Sequence, residues 1–348
     1  MPDRVQIGNR WIGKNEPTFV IAEAGINHQG DLKIAIKLVD IAAFAGADCV
    51  KFQKRNIKSL LTKEGFDKPY ENSNSFGKTY GEHRLALELS EEDFKQLKEY
   101  AESKGLIFLA SPWDVESADF LDSIGMVAFK MASADLGNLP FLEHVAKKGK
   151  PMIVSTGMAY LDEVERAYNL IKEHNDEIII LQCTSTYPSE FHDINLNILK
   201  TYQEKFDCPI GYSGHERGIA IPVAAVAMGA QVIERHFTID RTMKGGDHAA
   251  SLEPGGLKKM IRDLRAVEQS LGSFEKKKLD SEINVALKLK KSLTSAKPIK
   301  EGTVITRDLL TAKCPGDGIP PSEIDNLIGK IANRIIETDK ILYWEYFQ

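Results

Sequence analysis

The sequence has few cysteines, no long apolar run and no excess of positive charge. Its four cysteines are far apart and form no Cys-x-x-Cys pair, which argues against a structural zinc ribbon and a disulfide framework. The longest apolar stretch, residues 219–233, is too short to cross a bilayer and contains Pro222 and Gln231. A formal net charge of −5 argues against broad nucleic-acid binding, which needs a basic face.

What is present is the composition of a soluble globular protein, with 43% hydrophobic and 27% charged residues among 348. The first residues lack the apolar segment of a secretory signal, and the isolated cysteines suit a reducing compartment. We therefore expect a cytoplasmic protein. A chain of this length holds two domains, or one large barrel with an appendage.

Short β-rich runs alternate with helical segments along most of the chain. The eight runs are residues 18–24, 48–53, 106–111, 127–132, 152–156, 178–184, 209–213 and 231–237. The helical segments between them include residues 31–45, 91–104, 161–174 and 218–228. Eight such units, with no GxGxxG after the first run, favour a (β/α)8 TIM barrel of the α/β class over a doubly wound open sheet.

Almost every predicted strand ends in a charged or hydroxyl residue, although buried barrel strands are normally apolar throughout. Active sites of barrel enzymes lie at the carboxyl ends of the strands. The residues at these ends are Glu23, Lys51, Gln53, Ser111, Lys130, Ser133, Ser155, Thr156, Thr184, Ser185, Tyr187, Ser213, His215, Glu234 and His236. One polar end alone is explained by contact with solvent, but eight together predict a catalytic mouth.

Two lysines are the most informative residues in this set. Lys51 and Lys130 would project towards one mouth, and two ammonium groups ringed by hydroxyls form a site for phosphate and carboxylate groups. Glu23 and Glu234 are the acid–base candidates, because nearby cations lower a carboxyl pKa and favour base or orienting roles. A simple ion pair between Glu234 and one of the lysines is the alternative.

His215 and His236 end the seventh and eighth predicted strands, which are neighbours in a barrel. Two imidazoles on adjacent strands can share one divalent metal and leave positions open for water and substrate. A lone histidine at a strand end is more often a hydrogen-bonded polar residue, so the pairing is what favours metal binding. The long glycine-rich loop that follows, residues 238–256, has the character of a lid and contains Asp247.

Seven segments together resemble the sialic acid synthases over nearly the whole chain. They are IAEAGINHQGD (21–31), DCVKFQK (48–54), FKMASADL (129–136), STGM (155–158), LQCTSTYP (181–188), IGYSGHE (210–216) and the ERH…D…DHAASLEP pattern (234–254). The resemblance implies a transferase that condenses phosphoenolpyruvate with N-acetylmannosamine or its 6-phosphate. The implied products are N-acetylneuraminate or its 9-phosphate, with phosphate released by C–O cleavage. The implied cofactor is Mn²⁺, or else Mg²⁺ or Co²⁺.

Carried over position by position, the resemblance also implies residue roles. Phosphoenolpyruvate would be held by Lys51, Ser111, Lys130, Ser133, Ser155, Ser185 and Ser213. The metal would be held by His215 and His236. The acceptor sugar would face Glu23, Gln53, Tyr187 and Asp247. Catalysis would depend on Glu23, Lys51, Lys130 and Glu234. Ser185 differs from the asparagine of some relatives.

The end of the chain resembles the small antifreeze-like (SAF) domain of the same family. We predict a barrel over residues 1–280, a linker over 281–290 and the SAF domain over 291–348. The resemblance implies a domain-swapped homodimer in which this domain covers the partner's barrel mouth; the simpler alternative is a folding cap. Cys314 stands where bacterial relatives often have an arginine aimed at the N-acetyl group, and a thiol cannot replace that guanidinium.

The sequence does not select one acceptor sugar, and two other functions compete with the synthase. The segment SFGKTYGEHR (75–84) is closer to animal-type enzymes that use the sugar 6-phosphate, so Lys78, His83 and Arg84 would either bind that phosphate or form a solvated basic loop. Precursors of legionaminic or pseudaminic acid and mannose 6-phosphate are the other acceptors. A Schiff-base aldolase using Lys51 or Lys130, or a non-catalytic glycan-binding protein, are the competing functions.

Overall fold

The computed structural model describes residues 4–348, which fall into two compact units with the division after Gly272. The first unit opens with an antiparallel hairpin of β1 (Arg4–Ile7) and β2 (Arg10–Gly13). Eight strands of one parallel sheet follow. They are β3 (Phe19–Gly25), β4 (Cys49–Lys54), β5 (Ile107–Pro112), β6 (Phe129–Met131), β7 (Met152–Ser155), β8 (Ile178–Cys183), β9 (Ile210–Gly214) and β10 (Val232–His236).

These strands form the predicted (β/α)8 barrel. Their order in the sheet is β5-β4-β3-β10-β9-β8-β7-β6, so the first and last strands of the series, β3 and β10, are paired. The two strands that end this order, β5 and β6, are also in contact, which closes the sheet into a TIM-type barrel. The strands are buried and largely apolar, as parallel strands covered on both faces should be.

A helical segment follows each barrel strand. α1 (Leu32–Ala45) follows β3, and the long connection after β4 contains α2 (Ile57–Leu60), α3 (Lys63–Asp67), α4 (Tyr80–Ala86) and α5 (Glu91–Ser103). The others are α6 (Val115–Ser123), α7 (Leu139–Ala146), α8 (Leu161–Lys172), α9 (Ile198–Lys205), α10 (Ala220–Ala227) and α11 (Pro254–Leu271). Among residues 4–348, no helix has the length and apolar character that a membrane crossing needs.

Local sequence explains where these helices begin and end. Ser90 caps α5 because its side chain accepts the Asp93 N–H, and Gly105, just beyond this helix, has a positive φ of 78°. The fourth barrel strand, β6, is shorter than the predicted 127–132, because a 3-10 turn over Ser133–Asp135 begins soon after Met131. The other seven predicted strands agree with the structure to within about two residues at each end.

The second unit, Ser273–Gln348, has its own small core. It contains α12 (Ile283–Leu289), which occupies most of the predicted linker, and the antiparallel pair β11 (Ser292–Ser295) and β12 (Leu310–Lys313). A short α13 (Ile324–Leu327) follows. The fully buried side chains at the centre of this unit are Leu293, Ile299, Ile305, Ile319, Leu327, Ala332 and Leu342.

Candidate active site

Strand register brings the predicted residues to one end of the barrel. The ladder pairs at the carboxyl ends of neighbouring strands are His236–Glu23, Glu23–Lys51, Gln53–Ser111 and Glu234–Ser213. The same end contains a cavity of about 210 Å³. The site residues predicted from the sequence that line it are Glu23, Lys51, Gln53, Ser111, Lys130, Ser133, Ser155, Ser185, Tyr187, Ser213, His215, Glu234 and His236. Asp247 lies beside it, with its Oδ2 4.0 Å from His236 Nδ1.

Lys51 is buried within a group of polar side chains. Its Nζ lies 2.7 Å from Glu23 Oε2 and donates a hydrogen bond to Ser111 Oγ at 3.1 Å. Gln53 Nε2 donates to Glu23 Oε1 at 2.8 Å, so the Glu23 carboxyl is bound from both sides. The lysine is 2% exposed and the glutamate 1%, which places both charges out of bulk water.

Lys130 forms the second half of the site. Its Nζ donates to Ser155 Oγ at 2.7 Å and to the Met131 carbonyl at 3.0 Å. Glu234 lies between the two lysines, with its carboxyl oxygens 3.7 Å from each ammonium nitrogen, and accepts a hydrogen bond from Ser213 Oγ at 3.2 Å. One carboxylate is therefore shared by two buried ammonium groups.

The environment moves the pKa values of these groups in different directions. Burial would raise the pKa of Glu234, but Lys130 and Lys51 outweigh it and lower that pKa. Burial raises the pKa of Glu23 despite the opposing effect of Lys51. Burial lowers the pKa of Lys130, whereas the two carboxylates beside Lys51 raise its pKa against the effect of burial. Such opposed shifts are how one site holds an ionised carboxylate next to an acid–base group.

The two histidines are arranged as a pair. Their ring centroids are 5.4 Å apart, and the Tyr187 ring lies 4.1 Å from that of His215. His215 Nδ1 donates to the Thr184 carbonyl at 2.8 Å, so in the neutral ring the lone pair is on Nε2. Burial would lower the pKa of His215, but Cys183 and the Thr184 carbonyl outweigh it and raise that pKa, so a metal at Nε2 would have to displace a proton. Burial lowers the pKa of His236 to about 4, so this imidazole is neutral, and its Nδ1 accepts no hydrogen bond.

These donors fit a divalent cation held by two protein ligands. Neutral imidazoles are good ligands for first-row metals, and an outer hydrogen bond to a carbonyl is the usual support for a ligating histidine. Within residues 4–348, no group of three or more His, Cys, Asp or Glu side chains is placed to hold a metal. Water or substrate oxygens would therefore have to complete the coordination.

Comparison with known proteins decides the family. The model of the NeuB family matches residues 38–276, and the SAF domain model matches residues 290–348. The chain belongs to the NeuB family. The sialic acid synthase resemblance predicted from the sequence, including the SAF domain, is confirmed.

Relatives of this NeuB protein match it over most of their length. N-acetylneuraminate-9-phosphate synthase of Homo sapiens is 46% identical over 97% of this chain and 94% of its own. N,N'-diacetyllegionaminic acid synthase of Legionella pneumophila is 40% identical over 97% of this chain and 96% of its own. The crystal structure of an N-acetylneuraminic acid synthetase from Leptospira borgpetersenii, in complex with citrate, has a TM-score of 0.72 and 37% identity, and covers 81% of this chain and 94% of that one.

A buried ion pair behind the NeuB site was missed by sequence reasoning. Arg235 and Glu216 are both 0% exposed and joined by a short hydrogen-bonded ion pair, and Arg235 Nη2 also donates to the Glu216 carbonyl at 2.6 Å. The Tyr212 hydroxyl donates to Glu216 Oε2 at 2.7 Å. Glu216 directly follows His215, and Arg235 directly precedes His236. The ion pair therefore links the two strand ends that carry the imidazoles. The signal was a charged residue at position 235 of a buried strand.

Several cavity residues were also not singled out from the sequence. Trp113, Met158 and Cys183 line the cavity, and Cys183 Sγ lies 3.7 Å from Ser185 Oγ. Gly157 donates its N–H to Ser133 Oγ at 3.0 Å, and a Cβ there would come within 2.2 Å of Ser185 Oγ. The glycine of the STGM motif is thus required by close packing between two predicted phosphoenolpyruvate serines.

Proposed function

We propose that this NeuB protein condenses phosphoenolpyruvate with N-acetylmannosamine or its 6-phosphate, giving N-acetylneuraminate or its 9-phosphate and inorganic phosphate. The reaction makes the protein a transferase. The observation that carries the proposal is the pair of buried lysines, Lys51 and Lys130, on either side of the Glu234 carboxylate in a cavity lined by serine hydroxyls. The names of the human and Leptospira relatives support this class of product.

Phosphoenolpyruvate suits the charge of this cavity. Its phosphate and carboxylate would displace the internal contacts of the two lysines and take their ammonium groups as partners. The hydroxyls of Ser111 and Ser155, which accept hydrogen bonds from the lysines in the structure, can also donate to phosphate oxygens. These donors are fixed in place before the reaction, which is the requirement for electrostatic stabilisation of developing charge.

The acceptor would lie on the side of Glu23, Gln53, Tyr187 and Asp247. His215 and His236 would hold a divalent metal, Mn²⁺ or else Mg²⁺ or Co²⁺, which when bound would supply Lewis-acid polarisation of the acceptor's aldehyde. Glu23, whose pKa is raised by burial, is the group suited to take and return a proton at its Oε atoms, while Gln53 fixes its orientation.

The bond changes follow from this placement. C3 of phosphoenolpyruvate attacks the aldehyde carbon, and the positive charge that develops at C2 lies close to the ionised Glu234. Water adds at C2, and the tetrahedral intermediate expels phosphate with cleavage of the C–O bond. Lys51 and Lys130 hold the leaving phosphate without attacking it, which is why a site for C–O cleavage needs cations but no nucleophile directed at phosphorus.

Assembly and location complete the proposal. The chain would act in the cytoplasm as a homodimer in which the SAF domain of one copy covers the mouth of the other. Cys314 is exposed and its thiol donates to the Leu289 carbonyl at 3.2 Å, so we assign this residue no role in recognising the N-acetyl group. The acceptor's acetamide would be recognised by other residues.

Phosphate release tests the proposal directly. Purified protein with Mn²⁺ and phosphoenolpyruvate should release phosphate only when N-acetylmannosamine or its 6-phosphate is added; mannose 6-phosphate and the legionaminic and pseudaminic acid precursors are the comparison acceptors. His215→Ala and His236→Ala should each lose this activity and the bound Mn²⁺ signal in electron paramagnetic resonance. A pyruvate adduct trapped by borohydride on Lys51 or Lys130, without phosphate release, would contradict the synthase and support an aldolase.

A further inference from the structure

Arg55 is a buried cation beside the active site that the proposed chemistry does not use. It directly follows β4, and its side chain is only 4% exposed. The guanidinium lies 4.4 Å from the centre of the Trp113 ring, and Trp113 lines the catalytic cavity. Arg55 is not itself among the residues that line this cavity. Any effect of Arg55 on the reaction must therefore pass through a neighbouring side chain.

One side of Arg55 pairs with Glu88. Its Nη1 donates to Glu88 Oε1 at 3.4 Å, and its backbone N–H donates to Glu88 Oε2 at 3.2 Å. The same carboxylate lies 3.5 Å from Lys54 Nζ, while Arg55 Nε is buried without a partner. A buried guanidinium with an unmet donor lowers stability, so packing alone does not favour an arginine here.

The segment that leads to Glu88 is packed against its own aromatic rings. His83 is 5% exposed, its ring lies 4.6 Å from that of Tyr70, and its Nδ1 accepts the Phe76 N–H at 3.1 Å. Neither the phosphate contact nor the solvated basic loop considered from the sequence describes this histidine. Glu88, five residues further on, is therefore anchored and holds Arg55 in a fixed place.

The other side of Arg55 contacts Gln53. Arg55 Nη2 donates to Gln53 Oε1, and Gln53 Nε2 donates to Glu23 Oε1 at 2.8 Å. A guanidinium can only donate hydrogen bonds, and an ionised carboxylate can only accept them. One orientation of the Gln53 amide serves both neighbours; turned over, it would place its NH2 against the guanidinium and its oxygen against the carboxylate. Arg55 thus determines which end of this amide faces the cavity.

The same contact reaches the Glu23 carboxyl. Gln53 holds Oε1, while Oε2 faces Lys51 Nζ at 2.7 Å, so two neighbours together set the plane of the carboxyl group. Loss of either neighbour would let this plane rotate. A displacement of about 1 Å at a reacting centre can cost about 100-fold in rate, so the orientation of Glu23 matters for the reaction.

We propose that Arg55 is a positioning residue, which fixes the Gln53 amide and through it the Glu23 carboxyl. The inference rests on the proposed function, in which Gln53 and Glu23 face the acceptor sugar. It gives Arg55 no contact with either substrate. The alternative is that Arg55 serves folding alone, through its ion pair with Glu88.

A double-mutant cycle separates these two roles. Arg55→Met should lower kcat/KM for N-acetylmannosamine, or for its 6-phosphate, by roughly 10- to 100-fold, because a hydrogen bond from a charged group that positions the site is lost. The KM for phosphoenolpyruvate should stay within about twofold, because Arg55 acts on the acceptor side of the cavity. In the Gln53→Met background, Arg55→Met should cost less than about threefold more, since the contact through which it acts is already gone.

Lys54→Met is the matched control. Lys54 pairs with the same Glu88, but its Nζ donates to the Leu89 carbonyl at 3.1 Å and lies 5.5 Å from the centre of the Phe94 ring. This variant should leave kcat/KM within about twofold. An equal loss in Lys54→Met, or a loss in Arg55→Met that is the same with and without Gln53, would mean that Arg55 acts only through folding and would overturn the proposal.

Hydrogen exchange of the Gln53 side-chain amide tests the contact without turnover. In the full chain labelled with ¹⁵N-glutamine, its nuclear magnetic resonance signals are identified by their loss in Gln53→Met. Exchange should be roughly 3- to 10-fold faster in Arg55→Met and unchanged in Lys54→Met. This result would support the positioning role even if the protein released no phosphate, which would reject only the proposed function. Unchanged exchange in Arg55→Met would overturn the positioning role and leave the synthase proposal standing.

Discussion

The two ends of the barrel both contain charged residues, but they use them differently. At the amino end, an open cleft of about 950 Å³ is lined by Arg10, Asp48, Arg265 and Glu268. Asp48 pairs with Arg10 through Oδ1 and accepts Arg265 Nη2 at 2.9 Å through Oδ2. Glu268 Oε1 accepts a backbone N–H at 2.6 Å and Arg265 at 3.0 Å. These charges satisfy one another.

At the carboxyl end the cavity is smaller, about 210 Å³, and its charges are less completely matched. Glu234 is shared by two ammonium groups at 3.7 Å, its Oε2 accepts no hydrogen bond, and His236 Nδ1 is also without one. Buried polar atoms without partners are costly unless a ligand or ion supplies them. The larger cleft thus has matched charges, whereas the unmatched buried charge of the smaller cavity favours the carboxyl end as the site of chemistry.

The largest expected effect comes from exchanging one cation at each end for methionine. Lys130→Met should lower kcat/KM for phosphate release by at least roughly 10²–10³-fold, because one preorganised charge is lost next to the leaving phosphate. Arg265→Met should leave the kcat/KM of the folded protein within about twofold, since the amino end takes no part in the chemistry. Equal losses in the two variants, measured by phosphate release, would remove the distinction between the ends.

A second variant probes the paired end for stability. Asp48→Asn should lower the free energy of unfolding by about 2–3 kcal/mol, because it leaves two guanidinium groups without their shared carboxylate. Urea denaturation would measure this, and the kcat of the folded protein should not change. If stability were unaffected, the amino-end charges would be simple surface ion pairs of little energetic weight.

The smallest effect concerns an unmatched carboxyl at the carboxyl end. Burial raises the pKa of Asp135 to about 6, and its Oδ2 has no hydrogen-bond partner. The folded state thus holds this proton more tightly than the unfolded state, so the stability it adds is present below pH 3.8 and lost as pH rises through about 6. The shift of roughly two pKa units corresponds to about 3 kcal/mol at pH 7. Asp135→Asn, which cannot ionise, recovers only part of this because its amide is itself a buried polar group, so it should be more stable than the parent by about 1 kcal/mol at pH 7, with almost no gain at pH 4.

Denaturation at both pH values would measure this difference, with Asp67→Asn, an exposed carboxyl at the end of α3, as the control. A gain of equal size at pH 4 and pH 7 would mean that packing, and not ionisation, explains the change.

Strand patterning predicted the barrel because each unit repeats the same local rules, and the polar strand ends identified the mouth because parallel strands place their carboxyl ends together. The Arg235–Glu216 pair could not be found this way, since a charge on a strand does not reveal which distant charge it meets. The contact between Asn74 and Gly245 was missed for a similar reason. They lie in loops after different strands, and the contact between those loops is set by tertiary packing that no sequence period encodes.

The central claim is that the carboxyl-end lysines hold the phosphate of phosphoenolpyruvate while the C–O bond breaks. Phosphoenolpyruvate with ¹⁸O in the oxygen that bridges C2 and phosphorus tests it most directly, with the released phosphate examined by ³¹P nuclear magnetic resonance. We predict that the label appears in inorganic phosphate. Released phosphate without the label would show P–O cleavage and contradict the account.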